Sequence, residues 1–301
     1  MRDIGGQIGN QLRGVVPVGS SLIRTIGSLA LLVALGAAPA AAQQSGAIQE
    51  RGLPLGARAS TPQTSDNAAA AEEAAVRPKL IGALRAKGFE YGAPVFIRIF
   101  KQSRQLELWL LDGYKYRLFR TYPICSYSGA LGPKLREGDR QAPEGFYFVN
   151  ESQLNPNSHF HLSFDIGYPN PYDRAHGRTG NHLMIHGGCV SSGCYAMTNK
   201  GITEIYTLVD AALHNGQSLF EVHIFPFRMT RANMAAHAKS RWASFWTNLK
   251  AGYDYFQAYH RPPIIESNGK RYTFGPKMSP TVSPASMSAD ASDVSETCTR
   301  C

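Results

Sequence analysis

Several absences narrow the reading before any motif does. The chain has no long Lys/Arg run and no zinc-finger or RNA-binding signature, so its net charge of +9 implies a diffuse basic surface and no nucleic-acid partner. It also lacks a comfortable membrane span. The apolar run from Ile26 to Ala38 is short and interrupted by glycines. Because that run follows Arg2, Arg13 and Arg24 and precedes Pro39-Ala40-Ala41-Ala42-Gln43, residues 1–42 are expected to be a secretory signal peptide, with an uncleaved anchor as the alternative. No cysteine follows those small residues, which argues against lipoprotein processing. Export, in bacteria usually to the periplasm, places the chain where disulfides form, and its five cysteines leave at least one thiol free if the rest pair internally. Large apolar side chains are scarce in 43–77, which reads as a disordered linker, and in the Ser/Thr/Ala/Pro-rich tail 276–301. The tail ends Cys298-Thr299-Arg300-Cys301, an incidental pair or a weak metal or redox motif.

What remains is long enough, and at 43 % hydrophobic residues apolar enough, to bury a core. A short entry helix is expected over Lys79 to Lys87. Val95–Phe100, Leu106–Leu111 and Tyr116–Tyr122, with a turn at Asp112-Gly113, predict an antiparallel meander, and Phe146–Val149 and Phe160–Phe164 predict further strands. Thr198 is a candidate N-cap for a helix whose apolar positions run from Ile202 to Leu213 and stop at Asn215-Gly216; Leu219–Phe225 alternates as a last strand. These elements bound a domain at 78–229. Beyond it, Trp242, Phe245, Trp246 and Leu249 lie at helical spacing, so 230–275 is expected to be a helical extension that docks on the domain or else binds a membrane or partner.

The chemistry concentrates in Met184-Ile185-His186-Gly187-Gly188-Cys189-Val190-Ser191-Ser192-Gly193-Cys194-Tyr195-Ala196-Met197-Thr198. The apolar run Leu183 to Ile185 reads as a buried strand that delivers His186, glycines allow tight turning, and Cys194 stands ahead of a helix whose free N–H groups favour a thiolate. A Gly-rich connection holding two buried cysteines is the bland alternative. Cys189 is expected to be a buried structural cysteine, though pairing with Cys125 or Cys194 stays open. A zinc site using His186, Cys189 and Cys194 lacks a convincing fourth ligand, so no metal or other cofactor is called for. Upstream, the Arg-, His- and Tyr-rich loop Tyr168–Gly180 offers Tyr172, Arg174, His176 and Arg178 for contact with substrate carboxylates, or is merely a solvated surface loop.

The Ile185-His186-Gly187 and Ser191-Ser192-Gly193-Cys194 elements resemble the signature of the L,D-transpeptidase catalytic domain, the YkuD-like family. Pro143-Glu144-Gly145 is similar to its Pro-x-Gly turn ahead of a strand. The resemblance covers about Val95 to Met229. It implies a mainly β fold with packed helices, a β-sandwich or barrel catalytic domain. It implies Cys194 as nucleophile, His186 as base and the Gly187 carbonyl as the group orienting it, with Ser192 and Gly193 near the oxyanion. Peptidoglycan stem peptides are then the substrate. Two features depart from the common pattern and look like the YafK-like branch: eight positions separate His186 from Cys194, and Ala196 stands where the family commonly has Arg. Acyl transfer on stem peptides is therefore expected, with hydrolysis of a cross-link or release of a wall-anchored lipoprotein next, and a non-catalytic wall-binding module as the alternative from another class.

Overall fold

The computed structural model describes residues 64–275. The expected signal peptide and tail, with Cys298 and Cys301, lie outside them. Five helices and twelve strands follow in the order α1 Thr64–Arg85, β1 Val95–Phe100, β2 Gln105–Asp112, β3 Lys115–Pro123, β4 Ser126–Tyr127, β5 Gly145–Val149, β6 Leu154–Ser158, β7 His161–Asp165, α2 Pro171–Ala175, β8 Met184–His186, β9 Tyr195–Ala196, α3 Asn199–His214, β10 Phe220–Phe225, α4 Arg231–Ala236, α5 Ala243–Tyr259, β11 Ile264–Asn268 and β12 Arg271–Gly275. The expected entry helix begins fifteen residues early, so a linker reaching 77 and a domain edge at 78 do not hold. The alanines at 68–71 and 74–75 are strong helix formers, and Ala69, Leu80 and Leu84 bury against the core.

Two five-stranded sheets build the body, one ordered β3-β2-β1-β10-β5 and the other β4-β9-β8-β7-β6. The predicted meander is the β1–β2–β3 edge of the first sheet, antiparallel throughout. Next to it β1 pairs with β10 in parallel, Ile97 opposite Val222. Parallel neighbours need a long crossover, and everything from β2 to α3 is that crossover.

One core joins β1 and β10 (Ile97, Ile99, Val222, Ile224) to α3 (Ile202, Ile205, Val209) and to Phe164 and Ile185 of the second sheet. The opposite face of the first sheet meets a second cluster in which Phe100, Phe146 and Phe225 receive Phe245, Trp246, Leu249 and Tyr253 of α5. The aromatic stripe is thus a core face. Its docking also explains why the alternation read in β10 does not mark a solvent side: Glu221 and His223, on the α5 side, are as buried as their apolar neighbours and pair at 2.9 Å. Residues 260–275, the described chain after α5, are not helical. They form the β11–β12 hairpin, whose Tyr272 stacks on Tyr172 with ring centroids 4.1 Å apart.

Candidate active site

The site is built where two very short strands run in parallel, with Ile185 opposite Tyr195 and His186 opposite Ala196. Side chains alternate along a strand. Ile185 and Tyr195 point into the core, which turns His186 and Ala196 to the other face and carries Cys194, one residue before Tyr195, to that same side. The Met184 N–H donates to the Cys194 sulfur at 3.3 Å, and the thiol faces the His182 carbonyl at 3.8 Å. Between the strands the chain makes a tight loop. Gly187 donates to the carbonyls of Phe160 (2.9 Å) and Leu162 (3.1 Å), and a Cβ there would stand 2.5 Å from the Phe160 oxygen, so only glycine fits. Asn199 Oδ1 takes the Gly188 N–H at 2.8 Å, and Ser191 Oγ donates to the Cys194 carbonyl at 2.7 Å. Cys189 is exposed and disulfide-bonded to Cys125, which corrects the expectation of a buried cysteine; its place on a surface loop beside the β3–β4 connection makes it a tether. Cys194 is the free thiol among the described residues.

His186 is 3 % exposed, and its Nδ1 lies 2.6 Å from the Gly187 carbonyl. That carbonyl can only accept, so Nδ1 carries the proton and Nε2 keeps its lone pair. Burial holds the imidazole below its usual pKa, with the Gly187 bond opposing. Burial likewise pushes the Cys194 thiol up; the Met184 N–H and Lys134 act against this, and Asp165 adds to it. Both shifts favour uncharged partners at rest. The helix expected to support a thiolate is not placed to do so. After Cys194 come β9 and then Thr198, whose side chain caps α3 by accepting from Gly201 N–H at 3.1 Å. Thr198 holds φ 66°, a costly conformation for a β-branched residue, and its N–H is tied to the Gly188 carbonyl at 2.9 Å.

Residues 94–224 match the sequence profile of the YkuD L,D-transpeptidase catalytic domain. A protein of Escherichia coli K12 named "Putative L,D-transpeptidase YafK" is 52 % identical over 188 residues, which are 62 % of this chain and 76 % of that protein; its counterpart in E. coli O157:H7 matches equally. The chain belongs to the L,D-transpeptidase family. Among solved structures, the helical cell shape determining protein Pgp2 of Campylobacter jejuni (K307A mutant) aligns with a TM-score of 0.38 at 20 % identity over 64 % of this chain and 65 % of that one. Bd1075 of Bdellovibrio bacteriovorus aligns with a TM-score of 0.32 at 20 % identity, over 45 % and 48 %.

In this L,D-transpeptidase-family chain the loop expected to meet substrate divides. Tyr172 is 3 % exposed and stacks on Tyr272, with Phe245 packed against it at 5.6 Å between ring centroids, so it belongs to the core and not to a binding surface. The reason is α2, whose capping box at Asn170 and Asp173 turns Tyr172 inward. Arg174 is exposed, donates to the Pro169 carbonyl and lines a cavity of about 530 Å³ together with Asp165, His182 and Met184, on the Met184 side of the thiol. His176 donates from Nδ1 to the Tyr172 carbonyl at 2.9 Å. Arg178 is buried against Asp173 at 2.7 Å. His176 and Arg178 nevertheless share the wall of a second cavity. Ser192 is exposed, and Gly193, at φ +121°, leans its N–H on Ser191 Oγ at 3.3 Å.

Sequence reasoning missed the support behind the loop. Tyr195 donates to the Pro143 carbonyl at 2.7 Å, and next door the fully buried Glu144 pairs with Lys101 at 3.1 Å while accepting from Trp246 Nε1 at 2.8 Å. Pro143-Glu144-Gly145 was visible as a turn, but nothing in its spacing pointed to a lysine just after β1 or a tryptophan on α5. Among the described residues, no three His, Cys, Asp or Glu are grouped to hold a metal ion.

Proposed function

We propose that this protein is an exported cysteine acyltransferase of the bacterial envelope that acts on peptidoglycan stem peptides. Cys194 is the nucleophile, His186 the base and the Gly187 carbonyl the group that fixes the base. The observation that carries this reading is the 2.6 Å contact of His186 Nδ1 with Gly187, on a ladder that turns His186 and Cys194 to one face. With Nδ1 engaged, Nε2 takes the thiol proton as Sγ attacks the carbonyl joining an L-centre to a D-residue. The N–H groups of Gly193 and Cys194 are the donors assigned to the oxyanion, Gly193 giving up its 3.3 Å bond to Ser191 Oγ; in comparable hydrolases one such donor is worth about 3 kcal/mol. Collapse of the tetrahedral adduct breaks the C–N bond, His186 returns the proton to the departing amine, and a thioester remains. An incoming amine then restores an amide and frees the thiol, or water releases an acid.

The fold supports the same assignment at a coarser level. The two sheets with their packed helices are read as an L,D-transpeptidase-like β-sandwich domain, and residues 230–275 as an extension docked on it. Hydrolysis is the second reading, favoured by one observation: opposite His186 stands Ala196, a buried methyl in place of a long basic side chain. It would release a cross-link or a wall-bound lipoprotein.

Mass spectrometry of purified sacculi incubated with the protein, with and without Cys194→Ala, tests both. New cross-links that require Cys194 support transfer, and lost linkages that require it support hydrolysis. Identical muropeptides with both forms would refute catalysis and leave a wall-binding module.

A further inference from the structure

A cavity of about 670 Å³ opens between the loop around 130–141, the turn after α2 and the residues leading into α5. It adjoins the catalytic loop: Gln141 lines it, and the Gln141 carbonyl lies 3.6 Å from the place a Cβ on Gly193 would take. The wall is rigid. Lys101 Nζ and Gln141 Nε2 donate to the Gly132 carbonyl at 2.9 and 2.8 Å, and the Gly132 N–H donates to Glu144 at 2.7 Å. The absence of a side chain at Gly132 lets the Trp242 indole stand directly against this backbone.

Its charge is one-sided. Arg136 and Arg241 are exposed and Arg178 is buried in the lining. The one carboxylate there, Asp139, is already taken up by Lys134 at 2.6 Å and by the N–H groups of Leu135, Arg136 and Gln141 at 2.8–3.0 Å. Arg178 spends Nη1 on Asp173, whereas its Nε is buried with no hydrogen-bond partner. An unfilled buried donor costs free energy that an arriving acceptor recovers. The Arg241 guanidinium lies over the Trp242 ring at 4.6 Å from its centroid. Guanidinium groups beside an aromatic plate suit a carboxylate on a peptide, which they bind in two-pronged fashion while the ring covers the chain.

We infer that this cavity holds a free carboxylate of the stem peptide, with Arg241 and Arg136 as its ion-pairing groups and Trp242 as its platform. The inference rests on the acyltransferase reading. Arg241 and Trp242 lie beyond the residues 94–224 that match the catalytic domain, so substrate choice is set partly by the segment docked on that domain.

The test is calorimetric binding of a stem tetrapeptide to the full chain carrying Cys194→Ala, which prevents turnover. The same peptide with its carboxylates amidated is the control. Adding Arg241→Gln, an exposed change that leaves the fold alone, should weaken the free-acid peptide about tenfold, the size of one charge-assisted bond, and leave the amidated peptide unaffected. Arg136→Gln should act in the same direction. In the chain with Cys194 intact, Arg241→Gln should raise KM more than it lowers kcat and should not alter alkylation of Cys194 by iodoacetamide. Equal affinity of the two peptides, an unchanged Kd with Arg241→Gln, or equal weakening of both peptides would each overturn the inference. Discriminating binding without any action on sacculi would sink the catalytic reading and spare the cavity.

Discussion

Raising the pH from 6 to 8 should loosen α1 from α3, and Glu73→Gln should weaken the effect. Glu73 is 8 % exposed on α1, and burial, aided by the Asp210 carboxylate of α3, lifts its pKa from 4.5 to about 7, with Arg77 and His214 acting against the rise. A carboxyl with a higher pKa in the folded chain binds more protons there than in the unfolded chain, so its contribution is complete below about 4.5 and is lost as pH rises through about 7. The facing groups act in the same direction. Asp210 is raised mainly by burial, and His214 is raised by the Asp210 carbonyl and then by its carboxylate. Between pH 6 and 8 about one pH unit of the Glu73 rise is crossed, at most about 1.4 kcal/mol, and relaxation of a helix near the surface leaves roughly 0.5–1 kcal/mol to be seen. For a domain of this size that is about 1–4 °C in Tm. His186, held low, runs the other way, losing stability as pH falls below its unfolded value, so the quantity to measure is the wild-type slope minus the Glu73→Gln slope. Calorimetric melts at pH 6 and 8, with amide exchange of α1 as a local readout, decide it. A Glu73→Gln chain that keeps the wild-type slope would refute the reasoning.

Two further outcomes bear on the catalytic loop. His186→Gln should slow alkylation of Cys194 by iodoacetamide at pH 7 by tenfold or more, because a thiol pushed up by burial supplies little thiolate without a base; an equal rate would remove His186 from that role. Replacing Cys125 and Cys189 by Ser opens a tether across 64 positions and should lower the unfolding free energy in urea by about 2–4 kcal/mol, with acyl transfer falling further than stability alone accounts for; a loss below about 0.5 kcal/mol would show that the loop holds itself.

Long periodic segments were legible in the sequence because local pattern and tertiary role agree. β1, β2, β3, β10 and α3 fall where their apolar residues predict, and α3 starts at the expected Thr198 cap. Of the two strands that make the site, β8 was legible as the apolar run that delivers His186, and β9 was not. β9 holds two residues, too few for any period, and exists because the fold pairs it with β8. His186 and Cys194 were visible through their glycine-rich setting, while Tyr172 misled because an aromatic beside arginines looks the same whether it faces solvent or, as here, a hairpin from the far end of the domain. The Cys125–Cys189 bond could not be singled out, since pairing is fixed by three-dimensional approach and spacing leaves it open.

The features least visible in the sequence are the ones that connect its parts. Glu144 takes Lys101 from the turn after β1, the Gly132 N–H from the cavity wall and the Trp246 indole from α5, all at one carboxylate with no exposure. Each partner is a donor, and removing the carboxylate would leave a buried ammonium with only the carbonyls of Ala130, Gly132 and Ala142 around it. Next to this carboxylate, the Pro143 carbonyl receives Tyr195, the neighbour of Cys194. The same short turn therefore anchors the docked helix on one side and the strand after Cys194 on the other. A shift of α5 cannot occur without disturbing either the Glu144 cluster or the wall at Gly132, which ties the position of Arg241 and Trp242 to that of the thiol.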